Sequence, residues 1–454
     1  MAYQSINPAD FKLLAEFVCI SDSELNDKLN KSVAAYQFWS KTDIKFRLNL
    51  IRKIAEKLMS DFQFHAELIS LEMGKPITQS KMEIQKCAAL CHYYCEKAEE
   101  LLKPIHYQEN DRKSMIVFEP MGIVYGVMPW NFPYWQVFRF FIPNLILGNV
   151  CLLKHASNVP QCALNIEKVV SEAGVQEGVF ANLFINYNQS EAVINHPAVC
   201  GVTLTGSEAA GAKVAELAGK NIKKSVLELG GSDPFIVLPD ANLDKAVEIG
   251  IFARMQNAGQ SCIAAKRFII HEQVYDEFRH KYIAAAEKMK IGNPLDTETD
   301  LGPLARPYLL DELVAQIEKS VNMGATIATG GKILHKNKLF FEPTVIENVT
   351  EGMPAFHEEI FGPVAVFFKF KTLEEAIELA NITEFGLGAS VWTQNIEQGL
   401  KLAGQINSGI VAVNGLVKSS PDLPFGGTKK SGFGRELGEA GLKEFSNIKT
   451  INIF

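Results

Sequence analysis

A cysteine in polar surroundings is the first candidate for chemistry. The stretch Gln256-Asn257-Ala258-Gly259-Gln260-Ser261-Cys262 ends in a thiol that an electrophilic carbonyl could approach; a purely structural cysteine sits among apolar neighbours instead. Glu228 closes an apolar run and precedes Leu229-Gly230-Gly231, where two glycines let the chain turn sharply and lie close to a ligand. Its plainer reading is a solvated strand end or cap. In Pro129-Trp130-Asn131-Phe132-Pro133 two prolines fix a loop, so the Asn131 amide is either a rigid hydrogen-bond donor or part of an Asx turn. Thr205-Gly206-Ser207-Glu208-Ala209-Ala210-Gly211 follows a strand and opens a helix, where free N–H groups and the helix dipole favour phosphate. It is not the GxGxxG dinucleotide fingerprint, and Gly427-Thr428-Lys429-Lys430-Ser431-Gly432-Phe433 lacks the lysine that a Walker A loop needs after its second glycine. Cys87, Cys91 and Cys95 share one face of a helix without a four-ligand pattern, so no metal is expected.

The elements that position these residues belong to an ordinary globular chain. With 454 residues, 47% hydrophobic and 21% charged, disorder and fibre are excluded, and the length suits two or three domains. A net charge of −7 gives no positive field for nucleic acid, so small molecules are the expected partners. The best apolar stretch, Val137 to Leu153, is broken by Arg139, Pro143, Asn144 and Asn149. No membrane span or secretory leader is expected, and a cytoplasmic location with reduced thiols follows.

Helical periodicity predicts helices over Ser23 to Trp39, Lys45 to Ser60, Phe62 to Met73 and Thr78 to Leu101. Lys103 to Pro120 reads as two strands around the polar turn Glu109-Asn110-Asp111-Arg112. Short apolar runs then alternate with helical segments: Gly122 to Met128, Val150 to Lys154, Val179 to Asn186, Gly201 to Thr205 and Ser225 to Leu229. That alternation predicts an α/β fold with a parallel, doubly wound sheet, whose ligands bind at the carboxyl ends of the strands. A second α/β unit starts near Pro234, and the tail from Ile448 to Phe454 alternates like a half-exposed strand.

Taken together, PWNFP at 129, LLKHAS at 152, TGSEAAG at 205, ELGGSDP at 228, GQSC at 259, EEIFGP at 358 and PFGGTKKSGFGRELG at 424 stand in the order found in the aldehyde dehydrogenase superfamily. The resemblance covers nearly the whole chain. Within the superfamily, LLKHASN, ELGGSDPFIVL and QNAGQSCIAAKRFI look most like bacterial NAD(P)-dependent succinate-semialdehyde dehydrogenases. The resemblance implies that Cys262 is the nucleophile, that the Asn131 amide and the Cys262 N–H hold the oxyanion, and that Glu228 activates the water releasing the acid. For a cofactor, NAD or NADP, it implies Lys154 at the adenosine ribose, Gly206 and Ser207 at the pyrophosphate, Glu359 and Phe361 at the nicotinamide, and Trp130 along the cleft. At Ser157, where many NAD-dependent members carry a glutamate that repels a 2′-phosphate, the serine leaves NADP admissible.

A semialdehyde's remote carboxylate calls for a fixed cation. Arg139 matches an arginine used for this purpose in relatives, while Gln256 replaces a second one and Arg254 lies two positions earlier. Ser419 and Ser420 fall in a loop that can add a hydroxyl contact. The implied architecture is aldehyde dehydrogenase-like: a Rossmann-type cofactor domain (1–101 and 121–230), an α/β catalytic domain (231–430), and a β oligomerisation element (102–120 and 431–454) building a homodimer or homotetramer. Oxidation of succinate semialdehyde to succinate is the expected reaction. The alternatives are another ω-carboxylated or aliphatic aldehyde such as glutarate semialdehyde, acyl transfer to coenzyme A, which the presence of Glu228 disfavours, and a non-catalytic use of the fold.

Overall fold

The structure, a computed structural model, describes residues 2–109, 112–334 and 339–454. Helices α1 (Asp22–Trp39), α2 (Ile44–Ser60), α3 (Phe62–Met73) and α4 (Ile77–Leu101) form where the apolar period puts them. Ser21 and Glu24 make a reciprocal capping box at the start of α1, and Gly74 ends α3 in the left-handed region ahead of Pro76. An antiparallel pair, β1 (Ala2–Ile6) and β2 (Leu13–Val18), precedes them. Strands β3 (Ile105–Glu109) and β4 (Arg112–Pro120) form the excursion after α4; Asn110 and Asp111 of the expected turn lie outside the described residues.

The chain then runs through β5 (Ile123–Met128), α5 (Trp135–Leu147), β6 (Val150–His155), α6 (Pro160–Glu172), β7 (Phe180–Asn182), α7 (Tyr187–Asn195), β8 (Val199–Thr205), α8 (Glu208–Lys220) and β9 (Lys224–Glu228). The run Val179 to Asn186 yields only the short β7, because the Asn186 side chain accepts from the Gln189 N–H and starts α7. The second unit follows: β10 (Asp233–Val237), α9 (Leu243–Met255), β11 (Ala265–His271), β12 (Thr326–Thr329), β13 (Ile333–Leu334), β14 (Phe340–Phe341), β15 (Thr344–Glu347), β16 (Val364–Phe370), β17 (Gly388–Trp392) and β18 (Ile410–Val413), with helices between. The chain ends in β19 (Gly432–Phe433) and β20 (Ser446–Ile453).

A six-stranded sheet, β19-β9-β8-β5-β6-β7, is parallel except for β19. A seven-stranded sheet, β12-β15-β16-β11-β10-β17-β18, is parallel except for β12. Each carries its own apolar core. The carboxyl edge of the first sheet meets the amino edge of the second: Glu228 ends β9, Asp233 begins β10, and the segment carrying Cys262 leads into β11. The third sheet, β20-β4-β3, is antiparallel.

This topology revises one boundary. Residues 432–445, expected in the oligomerisation element, return to the first sheet: β19 pairs with β9 around Glu228, and Leu437, Leu442 and Phe445 pack into the first core. Only β20 continues to the excursion. Helix α4 is fastened to α5 through Glu83, whose carboxylate accepts from Tyr134 N (2.8 Å) and Trp135 N (3.0 Å) and pairs with buried Lys75; breaking such a buried pair costs about 3 to 5 kcal/mol. Among the described residues no helix is long and apolar enough to cross a membrane, and no cluster of three or more His, Cys, Asp or Glu could hold a metal ion.

Candidate active site

The segment before Cys262 is held in an uncommon backbone state. Asn257 (φ 55°), Ala258 (φ 52°) and Gly259 (φ 73°) are consecutively left-handed, a conformation costly for residues with a Cβ and kept only where the surroundings enforce it. Arg254 supplies part of that enforcement. Its guanidinium, fully buried, donates to the Val364 carbonyl (2.6 Å), the Ile360 carbonyl (2.8 Å) and that of Gly362. It is therefore committed to the backbone and does not reach the cavity. At Gly259 a Cβ would lie 2.1 Å from the Gly362 carbonyl, so only glycine fits.

Asn131, at the end of β5, reaches this loop: its Nδ2 donates to the Gln260 carbonyl at 3.1 Å, and Asn257 Nδ2 returns to the Asn131 carbonyl at 2.9 Å. The amide thus stands beside Cys262 with its second N–H still to give. Lys266 Nζ ties the nucleophile loop down from the other side, donating to the carbonyls of Ser261 (2.9 Å) and Cys262 (2.8 Å) and pairing with Glu359 at 3.0 Å. Burial pushes the Cys262 thiol up to about 12, with Arg139 and Lys266 opposing. The polar sequence around it does not by itself yield a thiolate.

Glu228 is fully buried, and neither carboxyl oxygen has a hydrogen-bond partner among the described residues. Its carboxyl is raised well above the ordinary range, by burial first and then by Glu436, against Arg139 and Arg435. Glu436, also buried, pairs with Arg139 Nε. The Arg139 guanidinium further donates to Thr205 Oγ1 (3.3 Å) and lies 4.6 Å from the Phe425 ring centroid.

Cys262 stands at the junction of two cavities. One, of about 300 Å³, has Arg139, Gln256, Trp135, Lys86 and Ser419 on its wall. The other, of about 460 Å³, has Trp130, Asn131, Gly206, Ser207, Glu359 and Phe361 on its wall. Trp130 and Phe361 meet edge to face there, centroids 5.9 Å apart, and Ser207 caps α8 with its side chain on the Ala210 N–H. A Cβ on Gly230 would lie 2.6 Å from Glu359 Oε2, so that glycine lets the carboxylate reach across. Lys154 and Ser157 lie off this cavity at the end of β6, with Lys154 Nζ between the rings of Tyr3 (6.0 Å) and Tyr187 (5.7 Å).

Three of the expected site residues stand in settings that the sequence does not show. Ser420 is absent from the cavity wall because its hydroxyl turns to Asp422. Arg139 reaches the wall, but its charge is already met by Glu436. Glu228 lines neither cavity, its carboxyl being turned toward the Arg139 and Glu436 pair. Sequence reasoning missed Glu436, Lys266 and Lys86. Glu436 sits inside the quoted GRELG segment, and Gln79, Met82, Glu83 and Lys86 recur at the i, i+3, i+4, i+7 spacing of one α4 face turned to the cavity.

The aldehyde dehydrogenase family model matches residues 1–451. The chain belongs to the aldehyde dehydrogenase family. A Mycobacterium leprae succinate-semialdehyde dehydrogenase, NADP(+), is 44% identical to this aldehyde dehydrogenase over 454 residues, covering 99% of each chain. The crystal structure of a succinic semialdehyde dehydrogenase from Streptococcus pyogenes with NADP+ superposes with TM-score 0.97 at 39% identity, covering 99% of each chain. The structure of Gox0499 superposes with TM-score 0.99 at 41% identity over the full length of both chains.

The raised thiol of this aldehyde dehydrogenase sets a pH dependence. Below its pKa the thiolate fraction grows about tenfold per pH unit, so alkylation of Cys262 by iodoacetamide in the cofactor-free protein, followed by peptide mass mapping, is expected to climb without a plateau to pH 9.5. A plateau near neutrality would mean that the resting site holds a thiolate.

Proposed function

We propose that this aldehyde dehydrogenase oxidises succinate semialdehyde to succinate with NADP or NAD as hydride acceptor. The observation that carries the reading is the position of Cys262 between a small cavity with cationic and hydroxyl groups on its wall and a second cavity at the start of α8. The mycobacterial and streptococcal relatives, both succinate-semialdehyde dehydrogenases, agree with it.

The cofactor groups fit the donor set. A phosphate suits the exposed N–H groups at the α8 start beside Gly206 and Ser207, and Lys154, with no carboxylate in ion-pair contact among the described residues, suits a ribose or its phosphate. Glu359 and Phe361 would hold the nicotinamide half. Bound there, the oxidised nicotinamide supplies the hydride acceptor and a positive charge that favours the thiolate.

The chain's own residues then act in sequence. The Cys262 thiol loses its proton to solvent in the cavity, and Sγ forms a bond to the aldehyde carbon as the C=O π pair moves onto the oxygen. The Asn131 amide and the Cys262 N–H receive the negative oxygen. The C–H bond breaks, its electron pair leaves as hydride, and the carbonyl re-forms as a thioester on Cys262. Glu228 swings out toward Cys262. Moving away from Glu436 relieves the repulsion that helps keep it protonated, so it becomes the base that takes a proton from water. The water oxygen bonds to the carbon, and the C–S bond breaks to give the acid and the free cysteine.

The chain is a homodimer or homotetramer in this reading, joined through the β20-β4-β3 sheet, since β3 is exposed along its length and forms a sheet edge. Sedimentation equilibrium is expected to give two or four chain masses; a single chain mass would remove the idea.

The substrate reading is tested by kcat/KM for succinate semialdehyde, glutarate semialdehyde and butanal, each with NADP and NAD. Succinate semialdehyde is expected to exceed butanal by about a hundredfold, roughly 2.7 kcal/mol. Comparable values would mean a general aldehyde dehydrogenase, and a glutarate semialdehyde preference would move the substrate to the longer acid. In the same assays Ser157→Glu is expected to raise KM for NADP by about tenfold while sparing NAD, by repelling a 2′-phosphate.

A further inference from the structure

We infer that Lys266 is a positioning residue that serves cofactor and nucleophile at once: it holds Glu359 with one carboxylate oxygen left to the nicotinamide half, and it aims the Cys262 N–H at the oxyanion. This rests on the cofactor and oxyanion readings given above. Lys266, the second residue of β11, is fully buried. Its ammonium has three N–H groups and three acceptors around it: the carbonyls of Ser261 (2.9 Å) and Cys262 (2.8 Å) and Glu359 Oε1 (3.0 Å). No N–H is left for a ligand, so Lys266 acts through these partners.

The peptide between Ser261 and Cys262 is trans, so the Ser261 C=O and the Cys262 N–H point opposite ways. With the carbonyl drawn to Lys266 Nζ, the N–H is turned away from the ammonium, and it donates to no acceptor among the described residues. A fixed, unspent donor beside Sγ is what an oxyanion hole requires. The Ala264 N–H also reaches the Ser261 carbonyl, at 3.2 Å, whereas among the described residues the Cys262 carbonyl accepts from Lys266 alone. Removing the ammonium therefore leaves the turn closed but lets the two carbonyls rotate.

Glu359 is anchored by the same ammonium. Its Oε1 accepts from Lys266 and from the Gly231 N–H at 3.2 Å. Its Oε2 accepts no hydrogen bond among the described residues, and Glu359 lies on the wall of the larger cavity. One oxygen is thus fixed and the other is presented to a cofactor hydroxyl. Charge runs along the same line: Arg139 and Lys266 oppose the upward shift of the Cys262 thiol, while Glu359 and Asp233 add to it. Glu359 therefore mutes the pull of the ammonium on a thiolate, and a hydroxyl donating to Oε2 weakens that muting.

The test is a double-mutant cycle of Lys266→Met, Glu359→Gln and both together in the full-length enzyme. NADPH affinity is read from quenching of tryptophan fluorescence, since Trp130 lies on the cavity wall. Alkylation of Cys262 by iodoacetamide is followed in the cofactor-free protein at one fixed pH, and kcat is measured for succinate semialdehyde at saturating NADP. Each single substitution is expected to weaken NADPH about tenfold, the scale of one charge-assisted hydrogen bond, and the pair no more than either alone, because one residue acts through the other. Alkylation is expected to move in opposite directions, about threefold slower in Lys266→Met and about threefold faster in Glu359→Gln, a pattern that a packing role does not produce. In Lys266→Met kcat is expected to decline about tenfold as the oxyanion donor loses its aim.

Additive losses of NADPH affinity, an unchanged kcat in Lys266→Met, or alkylation that is unchanged or slower in Glu359→Gln would each overturn the inference alone. The last readout stands even if Lys266→Met does not fold. A native protein that binds neither NADPH nor NADH overturns the cofactor reading, and the inference with it.

Discussion

Withdrawal of ionisable groups from water is the constraint around which the rest of the site is arranged. Burial raises both the Cys262 thiol and the Glu228 carboxyl, and Arg139 opposes the effect at each. A thiol and a carboxyl raised in this way are a poor nucleophile and a poor base at rest. The enclosure that disfavours their charges also strengthens any charge introduced later, whether the positive ring of a bound nicotinamide or the carboxylate of a substrate. In the proposed reaction, reactivity is thus tied to loading of the site. The same economy of charge explains why Arg139 and Glu436 enter as a pair.

Two sheets meet edge to edge to make this enclosure. Strand ends of the first sheet deliver Asn131, Ser207 and Glu228, while the second delivers Cys262 from a backbone in left-handed geometry. The cross-links are polar and specific: Asn131 to Gln260, Lys266 to Glu359, Glu359 Oε1 from the Gly231 N–H at 3.2 Å. Ser431 closes the arrangement, with its hydroxyl on the Gly230 carbonyl (2.7 Å) and under the Gly386 N–H (3.0 Å), so the returning tail locks the turn after Glu228. Arg254 does the same for the nucleophile loop. Loops that carry chemistry are precise here because buried side chains bind their backbones.

The local layer of this structure was legible in the sequence. Periodicity located α1 to α4, and the rule that ligands gather past strand ends picked out Asn131, Thr205, Ser207 and Glu228. What could not be read depends on contacts between distant segments. Nothing near Arg139 announces Glu436, and nothing near Glu228 shows its carboxyl turned toward that pair. Strand β19, only two residues long, carries no periodic signal, so the return of residues 432–445 to the first sheet was invisible. Ser420 and Ser419 are indistinguishable as loop serines until one hydroxyl meets Asp422 and the other Lys86. Lys86 was hidden for a different reason: its helix face mixes buried charge with apolar residues, and charge on a helix ordinarily reads as solvated surface.

In the proposed reaction the acyl group rests on Cys262 and leaves only when Glu228 activates water. The most direct test is intact-protein and peptide mass spectrometry of Glu228→Gln after one turnover with succinate semialdehyde and NADP. One equivalent of reduced cofactor is expected, with a succinyl group in place of the thiol hydrogen of Cys262 that persists while the native enzyme shows none. Reduced cofactor formed without an acyl group on Cys262, or an adduct on another residue, would contradict it.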